Sequence, residues 1–186
     1  VLPRGHVLAH DQFYLDGTRV PGLTPAPSKG TVSTTESSST VVTSVGDARY
    51  TVDKHSGTLS SITVRGKELL TGGPRLDAWR PPISNETFAW GRAEGEDWRR
   101  VGLDRLETTV TDVDVVPVPS GTKITVTSRV AAPDVTTAWF DQTMTYTIDS
   151  TGTVQLEHMV TPQGDIRTLT YLPRIGVSLA VPSTYD

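Results

Sequence analysis

An antiparallel all-β sandwich is the fold class that this 186-residue sequence predicts. Three observations carry it. Apolar and β-branched residues recur in short alternating runs, turn residues separate the runs, and only one segment has the spacing of a helix.

The elements follow in order. Val1 to Val20, VLPRGHVLAHDQFYLDGTRV, reads as one or two strands closed by a turn at Asp16-Gly17, with Val7, Ala9, Asp11 and Phe13 on one face. The next stretch, PGLTPAPSKGTVSTTESSST (21–40), is dense in Pro, Gly, Ser and Thr and has almost nothing to bury. That composition predicts a linker, and a domain boundary within it. From Val41 the strand signals repeat. Tyr50 and Val52 alternate up to a turn at DKHSG, and Leu59, Ile62 and Val64 follow, with a break in phase at Ser60-Ser61 that predicts a bulge. Val113 and Val115 pair in pattern with Ile124 and Val126 across PSGT. The clearest hairpin places Met144, Tyr146 and Ile148 before the turn DSTG, and Val154, Leu156 and His158 on the same parity after it. Gly57 and Gly152 supply the positive φ that such turns require. TLTYLPRIGVSLAV reads as a last strand or two. The one helix falls in GEDWRRVGL, where Asp97 suits the cap, Trp98 and Val101 lie a turn apart and Gly102 fits the position after the last turn.

Bulk properties narrow the function classes. A net charge of −4 and a pI near 5.5 argue against nucleic acid, whose binding rests on clustered Lys and Arg. There is no long apolar run of the kind a spanning helix needs. No secretory signal is legible. With no cysteine there is no disulfide framework and no thiol chemistry. At this length a chain buries a real core without such staples, and Thr and Ser, well tolerated in sheets, offset a hydrophobic content of only 35%.

Candidate chemistry concentrates in DAWRPPISNETFAWGRAEGEDWRR, Asp77 to Arg100, which holds three of the four tryptophans and five acids. A loop this long is either a binding surface or a packed segment that needs large side chains to keep its shape. Glycoside hydrolysis wants two carboxylates about 5 to 9 Å apart, one with a raised pKa. Asp77, Glu86, Glu94, Glu96 and Asp97 qualify only by proximity in sequence, and a solvated acidic loop balanced by Arg92, Arg99 and Arg100 is the better reading. Trp79 and Trp98 read as core anchors, while Trp90, between Ala89 and Gly91, is balanced between packing and stacking on a sugar face. His6, His10 and His55 show no ligand spacing, and His158 reads as a buried, hydrogen-bonded histidine, so no metal site is predicted. Neither a G-x-G-x-x-G loop nor a G-x-S-x-G elbow is present.

In order, the segments LPRGHVLAHDQFYL, YTVDKHSGTLSSITVRGKELL, WRPPISNE, WRRVGLDRL and TYTIDSTGTVQLE, covering nearly the whole chain, resemble the C-terminal part of glycoside hydrolase family-2 β-galactosidases. LPRIGVSLAVPSTYD is similar to that family's strand leading into a W-x-G-x-G-P-x-E-N-Y segment, just before which the sequence stops. The resemblance implies a galactose-mutarotase-like supersandwich over 41–186, incomplete at its C-terminus. It also implies that 1–20 are the last strands of a preceding immunoglobulin-like domain, with 21–40 as the linker. The family's retaining chemistry uses two glutamates on a (β/α)8 barrel, and no acid here matches either, so no catalytic residue is expected in this chain. The implied role is to line the active-site entrance and brace the barrel. Arg80, Pro82, Asn85 and Glu86 fall on the family's W-R-A-P-x-D-N-D element, and Arg80, Asn85, Glu86 and Trp90 are the substrate-entrance candidates. Pro81 replaces Ala, Ser84 the first Asp and Glu86 the second, so Arg80 and Asn85 carry over best. The expected partners are the remainder of a parent β-galactosidase and a β-galactoside. No cofactor is expected here, although the family often uses Mg and Na in other domains. A sandwich lacking its last strands leaves an open edge, which predicts that the isolated chain self-associates. The alternative is a stand-alone carbohydrate-binding or structural β-module. An aldose mutarotase would share the fold, but it needs a histidine and a carboxylate facing one cleft, which these histidines do not suggest.

Overall fold

The computed structural model describes residues 30–87 and 93–185. The predicted strands before residue 21, His6 and His10 lie outside the described residues. Eleven strands run in chain order among those described: β1 (Val32–Glu36), β2 (Thr40–Val45), β3 (Ala48–Asp53), β4 (Thr58–Val64), β5 (Lys67–Glu68), β6 (Gly72–Asp77), β7 (Glu107–Val118), β8 (Gly121–Ala131), β9 (Ala138–Asp149), β10 (Val154–Gly164) and β11 (Gly176–Ala180). One helix, α1 (Glu94–Arg100), and four short 3-10 turns complete the set. The strands form three antiparallel sheets, ordered β1-β2-β3-β4-β5, β10-β9-β8-β7 and β11-β6. The chain is therefore an all-β sandwich.

Strand β9 shows why the sequence folds this way. Ala138, Phe140, Gln142, Met144, Tyr146 and Ile148 are all buried, and the residues between them face outward. A period of two sends alternate side chains to opposite faces, so a single strand writes the whole core stripe. Ile148, Tyr146 and Met144 stand opposite Val154, Leu156 and His158, the register that the alternation predicts. On the outer face threonines pair across strands, Thr125 with Thr145 and Thr127 with Thr143, as suits a half-exposed pleat. Val113 and Val115 likewise face Val126 and Ile124. Pro117 sits within β7, which as an edge strand can spare the missing N–H.

The inner face of the four-stranded sheet is covered in two halves. Val41, Val45, Tyr50, Val52 and Leu59 of the five-stranded sheet pack on Ile124, Val126, Met144, Tyr146 and Ile148. Tyr50 Oη donates to the Gly152 carbonyl at 2.6 Å, and Thr34 and Thr122 join their hydroxyls at 2.7 Å, so polar bonds also tie the layers. The other half, Val130, Ala138 and Phe140, is covered by Ala78, Trp98, Val101, Leu103 and Ile166. Each fully buried side chain of this size contributes about 1.5–3 kcal/mol.

Several details settle the sequence-based expectations. Thr51 pairs with Ser61 and Val52 with Leu59, so Ser60 is the extra residue of the predicted bulge. Gly57 and Gly152 have φ of 70° and 81°. Val32–Glu36, inside the stretch read as linker, forms β1 and pairs with Glu36 opposite Val41 and Val32 opposite Val45. Polar Ser and Thr suffice there because β1 is an edge strand with one well-buried neighbour. Asp97 does not cap α1: the cap position is Ala93, and Asp97 lies within the helix. With Glu94 and Glu96 it places negative charge in the first turn, where the helix dipole favours it. Gly102, at φ 81°, ends the segment as predicted. Of the terminal stretch only Gly176–Ala180 is strand. Ile175, Val177, Leu179 and Val181 are exposed there, on a two-stranded sheet whose outer edge carries no further strand among the described residues.

Candidate functional site

The site is built on the connection from β6 to α1. Ala78 is buried, and Trp79 packs edge-on against Trp98 with ring centroids 6.5 Å apart. Pro81 and Pro82 fix φ and keep the chain extended. The backbone then turns through a 3-10 segment, Ser84–Glu86, entered from Ile83 in an extended conformation. Trp98 is 1% exposed and is the largest buried side chain among the described residues, in agreement with its reading as an anchor.

Arg80 and Glu86 meet in one bidentate pair. Arg80 Nη1 donates to Glu86 Oε2 and Nη2 to Oε1, each at 2.7 Å. The same carboxylate accepts the Ile83 N–H at 2.8 Å and the Tyr171 hydroxyl at 3.0 Å. Arg80 Nε donates to the Pro173 carbonyl at 3.0 Å, and its guanidinium lies 5.3 Å from the Trp98 ring centroid. Planar fork geometry of this kind is what arginine supplies and lysine does not. Arg174 also pairs with Asp77 at 3.2 Å, so residues 171–174 are laced to residues 77–86 at both ends.

Charge follows from these contacts. The Arg80 hydrogen bonds, helped by the Ile83 N–H and the Tyr171 hydroxyl, outweigh desolvation and hold the Glu86 carboxyl at a pKa of about 2. A general acid in glycoside hydrolysis needs the opposite shift. Glu86 is therefore built as a permanent anion. The sign of its stability contribution follows. Because its folded pKa lies below the unfolded value of 4.5, its stabilisation is complete above pH 4.5 and is lost as pH falls toward 2. We expect Glu86→Gln to lower the melting temperature most near neutrality, with the gap to the native chain closing between pH 4.5 and 2. Thermal melts across that range check it, and a gap independent of pH would contradict the ion-pair account.

The remaining acids are on or near the surface. Glu96 pairs with Arg99 at 3.1 Å and Asp97 with Arg100 at 3.3 Å, the solvated, charge-balanced arrangement expected of this loop. Glu86 departs from it because it is buried. Asn85 is exposed and makes no hydrogen bond with any described residue. Trp90 and Arg92 lie outside the described residues. Thus Asn85 and Glu86 share one turn, and Arg80, from earlier in the connection, engages Glu86.

Sequence reasoning missed Tyr171, which sat in a stretch read as strand. Pro173 two residues later was the available signal, since proline cannot donate to a ladder. A second feature lies elsewhere, a cleft of about 640 Å³ whose lining includes Gln142, Met144, His55, Thr58, Arg75 and Glu107. Gln142 donates to Ser128 Oγ at 2.9 Å and contacts His158 Nε2 at 3.0 Å, a polar row between the two apolar clusters. His158 is part-buried and hydrogen-bonded, as its parity suggested, and burial pushes its pKa down.

Known proteins are similar to this sequence. The chain is 24% identical over 190 residues to a β-galactosidase of Kluyveromyces lactis, an alignment covering 100% of this chain and 18% of that relative. It thus spans less than a fifth of the length of the relative it matches. Residues 44–186 match the model of the beta galactosidase small chain, well over half of the sequence, and with the sandwich and the ordered motifs this places the chain in the β-galactosidase small-chain family.

Proposed function

We propose that this chain is the part of a glycoside hydrolase family-2 β-galactosidase that lines the active-site entrance and braces the catalytic barrel, in an enzyme that removes terminal β-D-galactose with retention. The reading is supported above all by the turn at Ser84–Glu86. There Asn85 is exposed and hydrogen-bonded to no described residue, while its neighbour Glu86 is clamped by four donors. A carboxamide both donates and accepts, so it suits a sugar hydroxyl. The arrangement is that of a contact residue held by a supporting shell. Arg80 and Glu86 serve as that shell, and catalysis belongs to glutamates that this chain does not carry. The edge of β11, which pairs with no further strand among the described residues, and its exposed apolar residues are the surface through which the isolated chain meets its own kind or the rest of the enzyme.

One experiment on the purified chain tests this. It is expected to leave a nitrophenyl β-galactoside intact, to sediment as more than a monomer, and to show no saturable shift of its tryptophan indole N–H signals with galactose or lactose. Hydrolysis by the chain alone would overturn the reading. Saturable indole shifts would favour a stand-alone carbohydrate-binding module instead, and a monomer at high concentration would remove β11 as an association surface.

A further inference from the structure

We infer that Tyr171 is a positioning residue for the entrance turn: its hydroxyl holds the Glu86 carboxylate, and through it the orientation in which Asn85 is presented. The inference rests on the reading of that turn as part of a galactoside site, and it adds a residue from a distant segment which no motif points to.

The turn cannot hold itself. Three residues of 3-10 helix are closed by Glu86 N–H to the Ile83 carbonyl at 2.9 Å and by Thr87 N–H to the Ser84 carbonyl at 3.4 Å. So short a segment depends on its surroundings for its geometry. Glu86 supplies the anchor, but its strongest partner, Arg80, lies only six residues earlier in the same connection. That pair lies within the connection and reaches the distant segment only through Arg80, whose Nε donates to the Pro173 carbonyl at 3.0 Å. The Tyr171 hydroxyl is the direct bond from the carboxylate to a segment 85 residues away.

Tyr171 is well placed to impose a position. Its ring meets Trp98 edge-on at 5.6 Å, and its carbonyl accepts the Trp98 indole N–H at 3.3 Å. Since Trp98 is fully buried beside Phe140 and Ile166, the tyrosine is referenced to the core of the sandwich. Its hydroxyl therefore carries the position of the core to Glu86, and Glu86 passes it to the adjacent Asn85. Phenylalanine at 171 keeps the ring contact and the main-chain bond and removes only the hydroxyl.

The test compares Tyr171→Phe, Asn85→Ala and the double variant in a β-galactosidase that carries this chain, with a nitrophenyl β-galactoside as substrate. Each single variant is expected to raise KM roughly fivefold at nearly unchanged kcat, the signature of lost ground-state binding. The melting temperature of Tyr171→Phe should stay close to that of the native enzyme, and the double variant should be no worse than Asn85→Ala alone, because both act through one contact. If Asn85→Ala raises KM but Tyr171→Phe does not, or if their effects multiply, the role given to Tyr171 is wrong and the site reading stands. If Asn85→Ala leaves KM unchanged, the site reading fails and the inference falls with it.

Discussion

Replacing Trp98 by alanine is expected to cost about 3–5 kcal/mol of stability, the range for removing a large aromatic from a core. The residue is 1% exposed, packs with Val101, Leu103, Val130, Phe140 and Ile166, and stacks edge-on with both Trp79 and Tyr171. Its loss also strands the Tyr171 carbonyl and removes the ring beneath Arg80. For a domain of this size the melting temperature should fall by roughly 10 °C. Trp98→Phe should recover much of that. A Trp98→Ala melt within a degree or two of the native chain would show that α1 and the connection before it are not fastened through this ring.

A comparable loss, about 3 kcal/mol, is expected for Gly164→Ala. Gly164 ends β10 at φ 55° and ψ −135°, a conformation that residues with a Cβ strongly avoid. A methyl group there would run into the Thr137 carbonyl oxygen and press on the Trp139 ring. That same oxygen accepts the Asp165 N–H at 2.8 Å, so it cannot move aside without breaking the turn. Chemical denaturation of the two forms measures the difference. Near-equal stability would mean that the Thr137 and Gly164 backbones separate at little cost.

The β-class was legible because its signal is local. Met144, Tyr146 and Ile148 against Val154, Leu156 and His158 reveal a hairpin, its register and its inward face from periodicity and one turn. The same holds for the bulge at Ser60 and for Gly102 after α1. Legibility stopped where a residue's role depends on a partner far along the chain. Arg80 and Glu86 were identified as site residues from their motif positions, but their mutual engagement is a fact of the folded loop. β1 was hidden in a stretch of linker composition, since an edge strand needs little apolar pattern to pair.

By itself, then, the sequence determined an antiparallel sandwich of alternating strands, its hairpin registers, the helix α1 and its family. These follow from the period-two exposure of side chains and from backbone preferences at glycine and proline, which neighbouring residues already express. Only the tertiary structure decided that the inner sheet face is shared between a second sheet and the Trp98 cluster. It alone decided that Glu86 is a buried anion rather than a solvated acid, and that Tyr171 reaches it across 85 residues. Side-chain charge and hydrogen bonding depend on which groups meet in space, and that is set when the sheets close upon one another.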